Sequence, residues 1–462
     1  MMDEAERENE EWMDCRKDVA KRMNSNREKH KGQRWALCAL LSAFVCAFIL
    51  FSAIPVSAQN RAESAHQLTL EIYGNANEDD TIDMRDVTYI KLVIFGKKPE
   101  TEFCDANHDG RVSMLDVVQT KLIIVGKEGE ITFVDSEGEA KTIDMPVNSV
   151  IPLNSDAAEA IRVVGAAHKI VAIDSSISKK TSFFPEISAL PTIGRGFNPD
   201  IEEILAISPD IVVAYAPGIY NPGHEDLEDK LEPAVKVVRL DLFNRGADKL
   251  REEIMILGYI LGEVENAKKY VDWYDKYVGA VKDRVSTIPE GDRVKVFIDW
   301  CSAGPTSRHT IARGGLGFLC EEAGGMNIAA EFEVPYPDVE LEWVIRENPD
   351  VIVGYAHGRW FKGESGYETD DESGVRAFLE EIKGLPGFES VSAVKNGRIY
   401  IISAEIVTST AYPVGISYMA KWFYPELFED LNPEEIHQEY IDDFCGIDYD
   451  VSEHGVFVYW EE

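Results

Sequence analysis

Two stretches of this chain repeat one pattern. "DIEEILAISPDIVVAYAPG" begins at Asp200 and "ELEWVIRENPDVIVGYAHG" begins at Glu340. At a constant offset they align Glu202 with Glu342, Pro209 with Pro349, Asp210 with Asp350, Tyr215 with Tyr355 and Gly218 with Gly358. In each copy an amphipathic run ends at Pro-Asp, and a short apolar run follows. That is a helix, a turn and a strand buried on both faces, as in a parallel sheet flanked by helices. A unit of this kind met twice constrains the fold to two α/β lobes that share a local topology.

The surrounding pattern agrees. "ITFVDSEGEAKTIDMP" (131–146) reads as a hairpin turning at Ser136-Glu137-Gly138. From Val150, apolar strands alternate with helical stretches: "VIPL", "DAAEAIRVVG", "KIVAID", then the first repeat and "VKVVRL". Residues 247–285 carry Leu250, Ile254, Leu257, Leu261, Val264, Val271, Tyr274, Val278 and Val281 at helical spacing. Gly258 and Gly262 are expected to break this stretch into a lobe helix and a longer bridging helix. "RVKVFIDW" opens a second βα series that runs through the second repeat to "GRIYIIS" and "YMAKWFYPELF". The expected boundaries are a charged N-terminus with an apolar run (1–60), a small module (61–128), an N-terminal lobe (129–246), the lobe and inter-lobe helices (247–288), and a C-terminal lobe with its tail (289–462). In such sheets ligands bind beyond the carboxyl ends of the strands, where Tyr215 and Tyr355 stand.

The net charge of −37 excludes a phosphate-tracking surface and therefore nucleic acid. "WALCALLSAFVCAFILFSAIPVSA" (35–58) is uncharged and long enough to span a bilayer. Its Val56-Ser57-Ala58 end suits signal-peptidase cleavage, so the run is either a signal peptide or an N-terminal anchor; both imply export. Cys15, Cys38 and Cys46 lie in or before it. The exported Cys104, Cys301, Cys320 and Cys445 form no CxxC pair, and a Cys301–Cys320 disulfide is open to them.

A second repeat precedes the lobes: "NANEDDTIDMRDVTYIKLVIFGK" from Asn75 and "DANHDGRVSMLDVVQTKLIIVGK" from Asp105. Each is an acidic loop followed by an apolar helix. Oxygen donors stand at the spacing of a twelve-residue calcium loop. In the second copy they are Asp105, Asn107, Asp109, Ser113 and Asp116 with the carbonyl of Arg111, and Gly110 makes the turn. In the first they are Asn75, Asn77, Asp79, Asp83 and Asp86 with the carbonyl of Thr81, and Asp80 replaces the turn glycine. The alternative is an acidic solvated turn whose Asp86 and Asp116 favour a helix N-terminus. Two copies in one register favour Ca²⁺.

The double loop-helix resembles the dockerin type I repeat, which implies two Ca²⁺ ions and a cohesin-docking surface at loop positions 10 and 11. Those positions are Met84-Arg85 and Met114-Leu115 here, a departure from the Ser-Thr type that puts cohesin binding in question. Residues 131–440 resemble class III substrate-binding proteins of ABC importers. The motifs are "VNSVIPL", "GAAHKIVAID", "LPTIGRGFNPDIEEILAISPDIVVAY", "AGGMNIAAE", "ELEWVIRENPDVIV" and "AVKNGRIYII". The combination with the tail "IHQEYIDDFCGIDYDVSEHGVFVYWEE" resembles exported binding proteins of methanogenic archaea. The resemblance implies two Rossmann-like lobes bridged by a long helix, a ferric siderophore or corrinoid as cargo, and an ABC permease as partner. It carries over permease docking to Glu202 and Glu342, and ligand contact to Arg195 in "GRGFNPD".

Aromatic cargo candidates at strand-end loops are Tyr215, Tyr220, Trp300, Tyr336, Tyr355, Trp360 and Tyr412. Arg313 and Arg359 would add positive charge. His168, His224, His309 and His357 follow no metal-ligand motif, which argues against a bare zinc or manganese cargo. No GxSxG, HExxH or P-loop is present, and Cys301, Cys320 and Cys445 lack cluster spacing, so an enzyme is disfavoured. A cell-surface scaffold acting through the dockerin-like module is the remaining alternative.

Overall fold

The computed structural model describes residues 69–216, 226–242, 247–358 and 361–461. The expected signal or anchor run, Tyr220, Arg359 and Trp360 lie outside the described residues, as does His224.

The duplicated segment occupies the same place twice. In the first lobe, strand β3 (Val150–Pro152) and β7 (Lys236–Arg239) flank β6 (Ile211–Ala214) in a parallel trio. In the second, β8 (Lys295–Gly304) and β13 (Ile399–Ser403) flank β12 (Val351–Ala356), again all parallel. The helices before β6 and β12 span Ile201–Ile207 and Leu341–Glu347. Both end in a left-handed residue, Ser208 at φ 53° and Asn348 at φ 49°, which turns the chain before Pro209 and Pro349. The repeated aspartates then tie each strand to its neighbour. Asp210 accepts the amides of Asn148 and Ser149 at 2.7 and 2.9 Å, and Asp350 accepts the amide of Lys295 at 2.9 Å. Each carboxylate satisfies backbone donors at the foot of the adjacent strand.

The lobes differ beyond this shared core. The second sheet is mixed: β9 (Ser307–Thr310) pairs antiparallel with β8 and with β11 (Asp338–Glu340), and β14 (Val458–Tyr459) closes the far edge against β13. The expected strand in "KIVAID" is reduced to isolated bridges, Val150 with Ile170 and Ile173 with Thr192. Asp174 ends that run because its carboxylate turns to accept the amides of Ser176 and Gly196.

The two long helices are Ala247–Leu261 and Val264–Val285. Only Gly262, at φ 71°, breaks them. Gly258 stays helical, and its lack of a side chain lets the helix pass close to Ala267 of the second helix. Tyr270, Trp273 and Tyr274 of the bridging helix are buried in a core shared by both lobes. The tail adds a strap absent from the sequence expectations. Helix Pro433–Tyr440 places Tyr440 against Glu159, and Cys445 reaches Arg162 Nη2 at 3.4 Å. The four cysteines from Cys104 onward are buried thiols, so the Cys301–Cys320 disulfide is not formed.

The preceding module is a helix pair, Met84–Ile94 and Met114–Ile124, with Val87, Ile90 and Val117 in a small core. It is fused to the first lobe. Ile72 bridges Phe133 of hairpin strand β1 (Glu130–Val134), which pairs with β2 (Ala140–Asp144). The Ile82 amide donates to the Tyr259 hydroxyl at 3.2 Å, and Gln119 donates to the Glu130 carbonyl at 2.7 Å.

Candidate functional site

One repeat tyrosine, Tyr215, bonds a carboxylate, Asp156, whose charge also reaches the other, Tyr355. Asn154 caps helix Ser155–Val163 by accepting the Ala157 amide at 2.7 Å. That start puts Asp156 in the first turn, where the helix end favours negative charge. Tyr215 follows β6 and its hydroxyl donates to Asp156 Oδ2. The fully buried Arg239 holds the strand end from below. Its guanidinium donates to the Tyr215 carbonyl at 2.8 Å and pairs with Glu228 at 2.6 Å and Glu137 at 3.0 Å. From the second lobe, Tyr355 is 4% exposed; burial and then Asp156 push its phenol well above the usual range. Burial also raises the Asp156 carboxyl, against the opposing hydrogen bond from Tyr215.

An aromatic wall continues from Tyr355. Its ring stacks on His357 with centroids 5.2 Å apart. Trp300 lies 6.2 Å from Tyr355, 5.9 Å from His357 and 5.2 Å from Tyr336. Trp300 and Tyr355 are buried, and Tyr215, Tyr336 and His357 are the partly exposed members of the cluster, with planar apolar faces and polar tips. Beside it, Lys180 of the first lobe pairs with Glu405 of the second at 2.8 Å. Burial works against the Lys180 charge, but Glu405, Glu159 and Asp156 outweigh it and leave its pKa raised. Glu159 accepts from Tyr440 and from Thr410, the latter at 2.8 Å, and burial pushes its carboxyl up to about 7.

Thus Tyr215, Trp300, Tyr336 and Tyr355 share one region with Asp156. Sequence reasoning missed Asp156, Lys180 and Glu405, and it weighed His357 only as a metal ligand. An Asp two residues after an N-cap Asn was the one available signal.

Arg195 is exposed at the tip of a two-residue hairpin opposite Asn198. Gly196 sets that tip: a Cβ there would run into the Leu153 carbonyl oxygen, and its amide donates to Asp174. Two expected residues are placed differently. Tyr412 is not in a strand-end loop; it starts helix Tyr412–Phe423, stacks on Tyr274 at 6.0 Å and donates to Glu322 at 2.7 Å. Arg313 directs Nε to the Ala330 carbonyl at 3.4 Å and lies near Glu321. Glu202 and Glu342 are both exposed in the first turns of the paired helices.

In the module, capping boxes start both helices. Asp83 and Ser113 accept the Arg85 and Leu115 amides, while Asp86 and Asp116 accept back from Asp83 and Ser113. Asn77 and Asp79, and likewise Asn107 and Asp109, are bonded to each other at 2.7 and 3.2 Å. Asp105 accepts the Asp109 and Gly110 amides, and the Thr81 and Arg111 amides donate to Asp79 and Asp109. Asp79 also pairs with Arg85 at 2.9 Å.

Among the described residues no group of three His, Cys, Asp or Glu side chains is poised as a metal cluster. Yet Asn75 is wholly buried. Its Nδ2 is committed to the Leu70 and Asp79 carbonyls at 2.7 and 2.6 Å, which leaves Oδ1 without a partner. Asn107 Oδ1 is buried and unpartnered in the other loop. Burial, with Asp79 and Asp83 nearby, raises Asp86 to about 6. These orphaned oxygens and crowded carboxylates fit a hard cation.

A sequence profile of the periplasmic binding protein family matches residues 150–406. The chain is 26% identical over 216 residues to the vitamin B12-binding protein of Vibrio cholerae, spanning 46% of this chain and 72% of that one. It is 21% identical over 337 residues to the molybdate-binding protein MolA of Haemophilus influenzae, spanning 67% and 89%. Its fold superposes on a TroA-like periplasmic binding protein, FepB, from Veillonella parvula with a TM-score of 0.58 at 22% identity, covering 72% of this chain and 99% of that one. Among the described residues no helix is long and apolar enough to cross a membrane. The chain belongs to the periplasmic binding protein family and is an exported solute-binding component of an ABC transporter.

Proposed function

We propose that the two lobes capture a metal chelate, a ferric siderophore or a corrinoid, and deliver it to the permease through Glu202 and Glu342. The observation that carries this reading is the convergence of Tyr215 and Asp156 with the Tyr355, His357 and Trp300 wall at the strand ends. The partly exposed edge of this cluster, Tyr215, Tyr336 and His357, suits contact with an organic cargo better than coordination of a bare ion. The corrinoid reading draws on the vitamin B12-binding relatives. Titration with ferric siderophores, cobalamin and molybdate, followed by tryptophan fluorescence and calorimetry, tests this. Saturable binding of a chelate supports it. Binding of molybdate alone refutes the cargo class, and silence across the panel favours a scaffold role.

The module is read as a calcium-loaded, dockerin-like pair. Asn75, Asn77, Asp79, Thr81, Asp83 and Asp86 would hold one ion, and Asp105, Asn107, Asp109, Arg111, Ser113 and Asp116 the other. The cation would neutralise carboxylates that otherwise repel. The support is the buried, unpartnered Asn75 Oδ1. Calorimetry with Ca²⁺ on the chelator-treated chain should give two sites, reduced to one by Asp105→Ala with Asp109→Ala. No calcium heat would refute it.

A further inference from the structure

Among the described residues, half of the exposed large hydrophobic side chains sit on the module's two helices and their caps: Met84, Phe95, Met114, Leu115, Val118 and Val125. Phe95 is 73% exposed and Val125 60%. They fall at equivalent places. Met84 and Phe95 share a helical stripe with Lys91; Met114, Val118 and Val125 share one with Lys121. Burying such side chains is favourable, so a surface that leaves them in water points to a contact.

Charge identifies the contact. The chain as a whole carries −37, yet residues 87–99 contain Lys91, Lys97 and Lys98 and no acid. Residues 117–127 contain Lys121 and Lys127 and no acid. The acidic residues of the module lie in the loops and in the first turns of the helices, where Asp86 and Asp116 are buried, so the later turns carry only lysine charges. Apolar side chains with lysines beside them are the pattern of a helix that rests in a bilayer interface.

We propose that the helix pair seats its lysine-flanked apolar stripes on the surface of an anionic lipid bilayer. The module is then a foot, and its bonds to the Glu130–Val134 hairpin strand and to Tyr259 carry the lobes on it.

Hydroxyl-radical footprinting of the full chain reads this without substitutions, since Met84, Phe95 and Met114 are oxidisable. The chain is placed in nanodiscs of phosphatidylcholine alone or with roughly 30% phosphatidylglycerol. Labelling of the three should fall about fivefold or more in the anionic discs, while Met326 and Trp460 on the lobes stay unchanged. High salt, or Lys97→Glu with Lys127→Glu, should restore it. Equal labelling in both discs overturns the proposal, as does protection that survives high salt. Protection that rises with protein concentration in the absence of anionic lipid assigns the stripes to a second protein and overturns it as well.

Discussion

Lys180 and Glu405 join the two lobes directly, Nζ to Oε1 at 2.8 Å, beside the carboxylate that receives Tyr215. Both partners are largely buried, so removing one leaves a charge without compensation. Lys180→Met should therefore cost about 1–3 kcal/mol in urea denaturation, and Lys180→Met with Glu405→Gln should recover most of it. Equal losses in the single and double variants would show that the pair is not coupled.

Tyr215→Phe removes only the hydroxyl that holds Asp156. The orphaned carboxyl should cost about 1–3 kcal/mol of stability and weaken chelate binding about tenfold. Asp156→Asn keeps the shape and removes a negative charge. It should favour anionic chelates over neutral ones, a change read by calorimetry across the cargo panel. An unchanged order of affinities would remove Asp156 from the cargo site.

Glu202 and Glu342 are exposed in the first turns of their helices. Charge reversal at either, Glu202→Lys or Glu342→Lys, should leave cargo affinity unchanged and lower uptake through the permease by about tenfold or more. Loss of cargo affinity in the same variants would contradict a docking role.

Glu159 carries a pH signature. Its carboxyl is raised to about 7 by burial, against an ordinary value of 4.5. A raised pKa means the folded state holds the proton more tightly, so the contribution is full below the ordinary value and is lost as pH rises through about 7. Stability should fall between about pH 4.5 and pH 7, with about 3 kcal/mol of that from Glu159. Glu253, also raised to about 7 by burial, adds in the same sense. Glu159→Gln keeps an acceptor for Tyr440 and Thr410 and should flatten the slope. A slope identical to the parent chain would assign the pH dependence elsewhere.

The local order of the chain determined much of this protein. Apolar period and turn chemistry predicted the hairpin, the two long helices and the paired helix–turn–strand units, because each depends on neighbours within a few residues. The repeated Asp210 and Asp350 were visible as a pattern, though not as clamps on Asn148, Ser149 and Lys295. Tertiary structure alone decided which loops meet. It withdrew Tyr412 into the core against Tyr274, and brought Asp156, Lys180 and Glu405 to the tyrosines. It also fused the module to the first lobe and left its helix stripes bare. Those outcomes depend on burial and charge contributed by residues far apart in the chain, and no local period encodes them.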